Sequence, residues 1–286
     1  QSCFEGLKAF QCKDGEVRLF RPDENAKRLA KSCERVCMPP IPEEKFIEAC
    51  KMAVRENIEF VPPYGSGGAL YIRPLLFGSG PKIGLSPADE YTMIVLVIPV
   101  GDYYKGGLKP VSGIVMEEFD RAAPRGVGNV KVAGNYAGDL LPNSYAKQKG
   151  FPICLYLDAL TKSKVEEFST SNFVAVDKDG NYVTPASETI LASITNKSLM
   201  ELAADEGMGT ARREIPVEEL LTLREVAACG TAVVVTPLSK LYYKEDTITF
   251  GVGDAVGPVT RKLYDRVRAI QNGEAEDTFN WMKTIH

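Results

Sequence analysis

Short runs of alternating apolar and polar residues, separated by stretches with a three-to-four-residue apolar period, predict a mixed α/β chain. Phe4 to Phe10 and Glu16 to Phe20 alternate as strands around the turn Lys13-Asp14-Gly15. Pro22, followed by Asp23 and Glu24, opens a helix whose apolar positions are 26, 29, 30, 33 and 37. A second helix follows Pro42, with Phe46, Cys50, Ala53 and Val54 on its buried face. Strands recur at Ala69 to Phe77 and Tyr91 to Val100. Gly106-Gly107-Leu108-Lys109-Pro110 breaks either period and marks a domain joint. The expected division is a smaller α/β domain over residues 1–105 and a larger one over 106–286. In the latter, strands are expected at Val111 to Met116, Ile153 to Leu157 and Lys164 to Phe168, with a hairpin from Phe173 to Tyr182 around Asp179-Gly180. Helices are expected from Thr195 to Glu206 and from Val217 to Ala228, each stopped by glycine, and a last one from Pro258.

Composition narrows the chemistry. A chain of 286 residues with net charge -4 and interspersed signs has no basic stripe for a phosphate backbone, so nucleic acid is not expected as a partner. The apolar run Met93 to Val100 is far shorter than the roughly 20 residues that span a bilayer, so no membrane role is expected. Seven cysteines without CxxC pairs suit free thiols in a reducing compartment, whether cytoplasm or an organelle reached by a removed targeting segment, and no metal site is expected. The single histidine is His286, so histidine triads, His-ligated zinc and histidine general bases have no central residue. Lys, Tyr, Asp, Glu, Cys or a bound cofactor must carry any catalysis.

Gly128-Asn129-Val130-Lys131-Val132-Ala133-Gly134-Asn135-Tyr136-Ala137 sets one lysine among small residues. Burial or a nearby cation can lower a lysine pKa from about 10.4 and make it an amine nucleophile. A surface lysine in a Gly/Asn loop is the plainer alternative. In Leu70-Tyr71-Ile72-Arg73-Pro74 the two-residue period puts Tyr71 and Arg73 on one face, suited to an anion or simply solvated, and Pro74 argues for an edge or bulge. Arg28 follows Glu24 by four residues, which permits an exposed salt bridge. Ile194-Thr195 opens a helix whose unpaired N–H groups suit a phosphate, with Thr195 as a plain N-cap the alternative. Glu166 and Glu167 face opposite sides of their strand, and Gly230-Thr231-Ala232 is read as a helix-to-strand joint.

Together with Phe4-Glu5-Gly6-Leu7-Lys8-Ala9-Phe10, Phe20-Arg21-Pro22-Asp23-Glu24-Asn25 and Pro99-Val100-Gly101-Asp102-Tyr103, these segments resemble, in order and spacing, the class IV aminotransferases of fold-type IV, and within them the branched-chain aminotransferases. The resemblance runs nearly end to end. It implies a two-domain fold with the active site between the domains, pyridoxal 5'-phosphate as cofactor, amino-acid and 2-oxo-acid substrates, and a homodimer. It assigns Lys131 as the Schiff-base lysine, Arg28, Ile194, Thr195 and Thr231 to the phosphate, Tyr136 to the ring hydroxyl and Glu167 to the pyridine nitrogen. Phe4, Tyr71, Arg73, Tyr103, Thr170, Thr231 and Ala232 are implied around the substrate. The implied reaction exchanges an amino group between leucine, isoleucine or valine and 2-oxoglutarate. Same-fold alternatives are a D-amino-acid aminotransferase and an aminodeoxychorismate lyase; a non-catalytic partner-binding relative is a third. Two departures bear on the phosphate site: Leu191-Ala192-Ser193-Ile194-Thr195-Asn196 stands where Leu-Pro-Gly-Ile-Thr-Arg is common, and Ser169-Thr170-Ser171-Asn172 where Gly-Thr-Met-Asn is usual. The cup is expected to lose an arginine and a glycine turn, and the chain to begin inside the family pattern.

Overall fold

The computed structural model describes residues 1–101, 107–251, 253 and 255–286. The joint expected at 106 and the substrate residue expected at Tyr103 lie outside the described residues. In chain order the elements are β1 (Ser2–Phe4), β2 (Leu7–Gln11), β3 (Val17–Phe20), α1 (Pro22–Arg35), α2 (Glu43–Arg55), β4 (Ala69–Gly78), β5 (Tyr91–Val100), β6 (Val111–Met116), α3 (Ala133–Gly138), α4 (Leu140–Gln148), β7 (Ile153–Leu157), β8 (Val165–Phe168), β9 (Ser171–Val176), β10 (Tyr182–Pro185), α5 (Ile194–Asp205), β11 (Thr210–Arg213), β12 (Glu225–Gly230), β13 (Val234–Tyr243), β14 (Asp246–Thr249), α6 (Pro258–Gln271) and β15 (Met282–Thr284). They form two compact units, one of Gln1–Tyr103, Val130–Ala133 and Arg268–His286, the other of Tyr104–Asn129 and Gly134–Val267.

The first unit is an antiparallel sheet in the order β1-β4-β2-β3-β15, with β5 also on β4. The strand expected over Phe4 to Phe10 is split, because β1 and β2 pair with successive parts of the long β4, Phe4 opposite Leu75 and Leu7 opposite Ile72. Glu5 and Gly6 form the break. Gly6 lies under Tyr71, where a Cβ would stand 2.2 Å from the phenol oxygen, so only glycine fits. Leu7, Ala9, Leu70 and Ile72 are buried, as are Ala26, Leu29 and Cys33 of α1 and Phe46, Cys50 and Val54 of α2. Each fully buried Leu or Phe contributes about 1.5–3 kcal/mol. The i, i+4, i+8 spacing on α2 is the period predicted.

A single cut near residue 105 does not describe the chain. Val132 bridges Cys3, and Met282–Thr284 adds an antiparallel strand beside β3, so backbone hydrogen bonding returns both segments to the first unit. Lys131 therefore belongs to that unit and not to the larger one expected to carry it.

The second unit holds a sheet in the order β11-β10-β9-β12-β13-β6-β7-β8, and β8 also pairs with β9, so six strands close on themselves. Leu155, Phe168, Phe173, Val226, Ala228 and Leu241 are part of the core they enclose, with the rings of Phe168 and Phe173 stacked at 5.8 Å. The helix expected over Val217 to Ala228 is instead a 3-10 turn at Val217–Leu221 followed by β12. β12 lies between β9 and β13, and its first five residues are buried; a short apolar run buried on both faces shows no strand alternation, so periodicity alone misread it. Gly230 consequently ends a strand, and Thr231 to Val233 form a strand-to-strand loop.

All seven cysteines are free thiols, six of them buried. Among the described residues no helix is long and apolar enough to cross a membrane.

Candidate active site

In the first unit the backbone pins Lys131 from both sides. Its N–H donates to Ser32 Oγ of α1 at 3.0 Å, and its carbonyl accepts from the Phe4 N–H at 3.1 Å. The side chain is half-buried and holds Nζ 4.8 Å from the centre of the Phe4 ring. The same ring carries the Arg73 guanidinium at 4.8 Å, so Phe4 presents its electron-rich π system to two cations. Arg73 Nη2 donates to the Tyr71 hydroxyl at 2.7 Å, while its buried Nε has no hydrogen-bond partner among the described residues. Tyr71 and Arg73 thus do share a face, and Pro74 sits opposite the gap between β1 and β2, its carbonyl accepting from the Glu5 N–H. Lys8, opposite Tyr71 in register, has its ammonium brought down to about 8 by burial and then by the charge of Arg268.

Lys27 takes Asp23 and Glu24, while Arg28 turns inward to grip Glu5 bidentately, Nε to Oε1 at 2.8 Å and Nη2 to Oε2 at 2.7 Å. Asn25 Nδ2 donates to the same carboxylate at 2.7 Å. Burial pushes the Glu5 carboxyl up, but the Arg28 charge and hydrogen bonds, with Lys131 and Asn25, outweigh it and leave it below the usual carboxylate range. Glu5 is a partner that sequence reasoning missed: it stands 23 residues from Arg28, and only the break between β1 and β2 turns it inward.

The second unit holds a buried carboxylate of opposite character. Glu167 Oε1 forms an ion pair with Arg121 Nη2 at 2.8 Å and accepts from the Leu191 N–H at 3.0 Å, and Oε2 accepts from Asn172 Nδ2 at 2.7 Å. Here burial prevails, and the carboxyl is pushed up to about 7 despite Arg121. Arg121 also donates to the Thr189 carbonyl. Gly128 makes room for this: a Cβ there would lie 2.3 Å from Thr189 O and 2.8 Å from Arg121 Nη2. Nothing in Asp120-Arg121-Ala122-Ala123-Pro124 signals the role of Arg121, because its partners come from β8 and the loop after β10.

Around this carboxylate stands the start of α5. Ser193 is the N-cap, its Oγ accepting from the Asn196 N–H at φ -78°, a conformation that requires no glycine. Ile194 and Thr195 open the helix and are buried. Asn196 is 0% exposed; it accepts from Tyr182 at 2.8 Å and donates to Thr184 at 2.8 Å. The side chain at 196 therefore faces the interior. The Thr231-Ala232 turn lies beside β9, since a Cβ on Gly230 would sit 3.7 Å from Ser171 Cβ. Val234 just beyond it holds φ 67°, a left-handed conformation that costs a β-branched residue about 1–3 kcal/mol and suggests a backbone constrained by its site. Thr170 is exposed on the β8–β9 turn, and Tyr136 lies half-buried on α3.

The first unit thus gathers Phe4, Arg28, Tyr71, Arg73 and Lys131; the second gathers Glu167, Thr170, Ile194, Thr195, Thr231 and Ala232. An amine and paired cations stand on one, a buried carboxylate and a helix N-terminus on the other, which are the parts needed for carbonyl–amine chemistry on an anionic substrate.

Known proteins carry the same pattern. The profile of the family described as amino-transferase class IV matches residues 2–241. A branched-chain-amino-acid aminotransferase of Haemophilus influenzae is 44% identical over 100% of this chain and 84% of that protein. A chloroplastic branched-chain-amino-acid aminotransferase of Arabidopsis thaliana is 46% identical over 98% of this chain and 67% of its own length. An aminotransferase of Penicillium oxalicum is 43% identical over 100% of this chain and 80% of its length. Among solved structures, the Escherichia coli branched-chain amino acid aminotransferase superposes with a TM-score of 0.86 at 27% identity, covering 100% of this chain and 90% of that one. With a family match over residues 2–241 and relatives above 40% identity, the chain belongs to the class IV aminotransferases.

Proposed function

We propose that this protein exchanges an amino group between branched-chain L-amino acids and 2-oxoglutarate, with pyridoxal 5'-phosphate as its cofactor. The relatives' names support the substrate class. The residues fit the cofactor: Glu167 is a buried carboxylate paired with Arg121 beside the start of α5, its carboxyl still pushed up to about 7 by burial, and a cationic ring nitrogen would stabilise its charged form. That setting is the observation on which the reading rests.

When bound, pyridoxal phosphate supplies an aldehyde that takes up the amino group and a protonated ring that draws electrons from the substrate Cα. Lys131 Nζ would hold the aldehyde carbon, Tyr136 the ring hydroxyl and Glu167 the ring nitrogen. Ile194 and Thr195 at the helix start, Thr231 and Arg28 would hold the phosphate. Lys131 Nζ would act as the base for the substrate Cα proton. It must be neutral to do so. Arg73, with Tyr71 and the Thr231-Ala232 amides, would hold the substrate carboxylate. Phe4 would bound its side chain, with Thr170 nearby.

The test is the visible spectrum of the cofactor-loaded protein. L-leucine is expected to shift the band and 2-oxoglutarate to restore it; a band that responds only to D-amino acids, or to none, refutes the reading. A homodimer is proposed on a separate observation. On β5, Ile94, Leu96 and Ile98 are 41%, 55% and 58% exposed at alternate positions, an apolar stripe suited to a second copy. Leu96→Lys should shift sedimentation toward the monomer; an unaltered dimer would place the interface elsewhere.

A further inference from the structure

Behind Glu167, on the opposite face of β8, the second unit has a cavity of about 360 Å³ lined in part by Arg125, Leu160, Lys164, Glu166, Thr189 and Glu214. Its volume is within the range of small-molecule sites. At its floor Glu166 is only 4% exposed. Ser187 Oγ and Thr189 Oγ1 both donate to Glu166 Oε1, and among the described residues Oε2 accepts no hydrogen bond. The residue is buried but this oxygen is open to the cavity, where a ligand can donate to it. Of the other charges there, Lys164 pairs with Glu214 at 2.6 Å, and Asp158 accepts four hydrogen bonds from the turn at Thr161 to Lys164. Arg125, exposed on the rim, has no ion pair or hydrogen bond among the described residues. What is left over is Glu166 Oε2 on one side, the exposed Glu188 carboxylate, and the Arg125 guanidinium on the rim, with Leu160, 81% exposed, and Pro124 as apolar wall.

We propose that this cavity binds a small α-amino acid as a zwitterion, its ammonium on Glu166 and its carboxylate on Arg125. Occupancy is relayed to the catalytic half-site, because Thr189 touches Glu166 through its hydroxyl and Arg121 through its carbonyl, and Arg121 carries Glu167. The relay rests on the role proposed for Glu167; the binding does not.

The test uses holoenzyme loaded with pyridoxamine 5'-phosphate, with 4-methylpentanoate present to fill the reacting site. Saturation-transfer NMR of L-leucine should show saturable binding. Loss of either charged contact, in Glu166→Gln or Arg125→Ser, should weaken it about tenfold or more. The oxo acid of leucine and 3-methylbutylamine, each lacking one charge, should bind as weakly as those variants do. No saturable signal, or undiminished binding in both variants, overturns the site; amine binding as strong as leucine overturns the part given to Arg125. Leucine should also move the pH break in pyridoxamine phosphate affinity in the wild type but not in Glu166→Gln. Binding without that movement overturns the relay alone.

Discussion

Replacing Arg121 by methionine removes a charge at nearly constant volume from beside Glu167. The guanidinium nitrogen is 2.8 Å from Oε1, and the two side chains are 6% and 5% exposed. At an effective dielectric of about 20, unit charges centred about 4 Å apart attract by about 4 kcal/mol, about three pKa units. Glu167 already stands at about 7 with Arg121 in place, so the variant carboxyl is expected well above neutrality, near roughly 10. At pH 8 its ionised fraction then falls from about nine-tenths to about one-hundredth, and pyridoxal phosphate affinity should weaken roughly 100-fold. Cofactor dissociation constants by fluorescence quenching between pH 5.5 and 10 check this. The wild-type affinity should rise to a break near 7, and the variant's should go on rising beyond pH 9. Stability follows the same linkage. Because the folded carboxyl is raised above the ordinary 4.5, its contribution is fully present below that value and is lost as pH rises through 7. Arg121→Met should therefore lose more stability at pH 8 than at pH 4. Coincident affinity breaks in the two proteins would refute the reasoning.

Three further outcomes are expected. Glu5→Ala takes the carboxylate from buried Arg28 and should cost about 3–5 kcal/mol in urea unfolding at pH 7, a difference that narrows in acid because the lowered Glu5 carboxyl contributes stability only above its ordinary pKa; a loss under 1 kcal/mol would contradict the pairing. Asn196→Ala should cost about 1–3 kcal/mol of stability but change cofactor affinity by less than about threefold, and a tenfold weaker cofactor would put residue 196 back at the phosphate. Lys131→Ala should lower turnover by more than the 10²- to 10⁴-fold typical of a lost general base, since the same amine also holds the cofactor; near-normal steady-state rates would exclude it.

Local pattern determined much of this protein. The α2 stripe at Phe46, Cys50 and Val54, the proline starts of α1 and α6, and the shared face of Tyr71 and Arg73 follow from periods and punctuation within a few residues. The order of the motifs was enough to identify the family. Tertiary structure decided what depends on partners far along the chain. It made a strand of Val226 to Cys229, since burial between two neighbours erases the alternation that would mark one. It carried Lys131 into the first unit through the backbone bridge of Val132 to Cys3, and turned Asn196 inward to Tyr182 and Thr184. It also set two buried glutamates apart: Glu5 is driven down by a bidentate arginine, while Glu167 is held up by burial that a single contact from Arg121 does not overcome. Sequence spacing names candidate acids, but burial and the number of facing donors set their charge, and both arise only when distant segments pack.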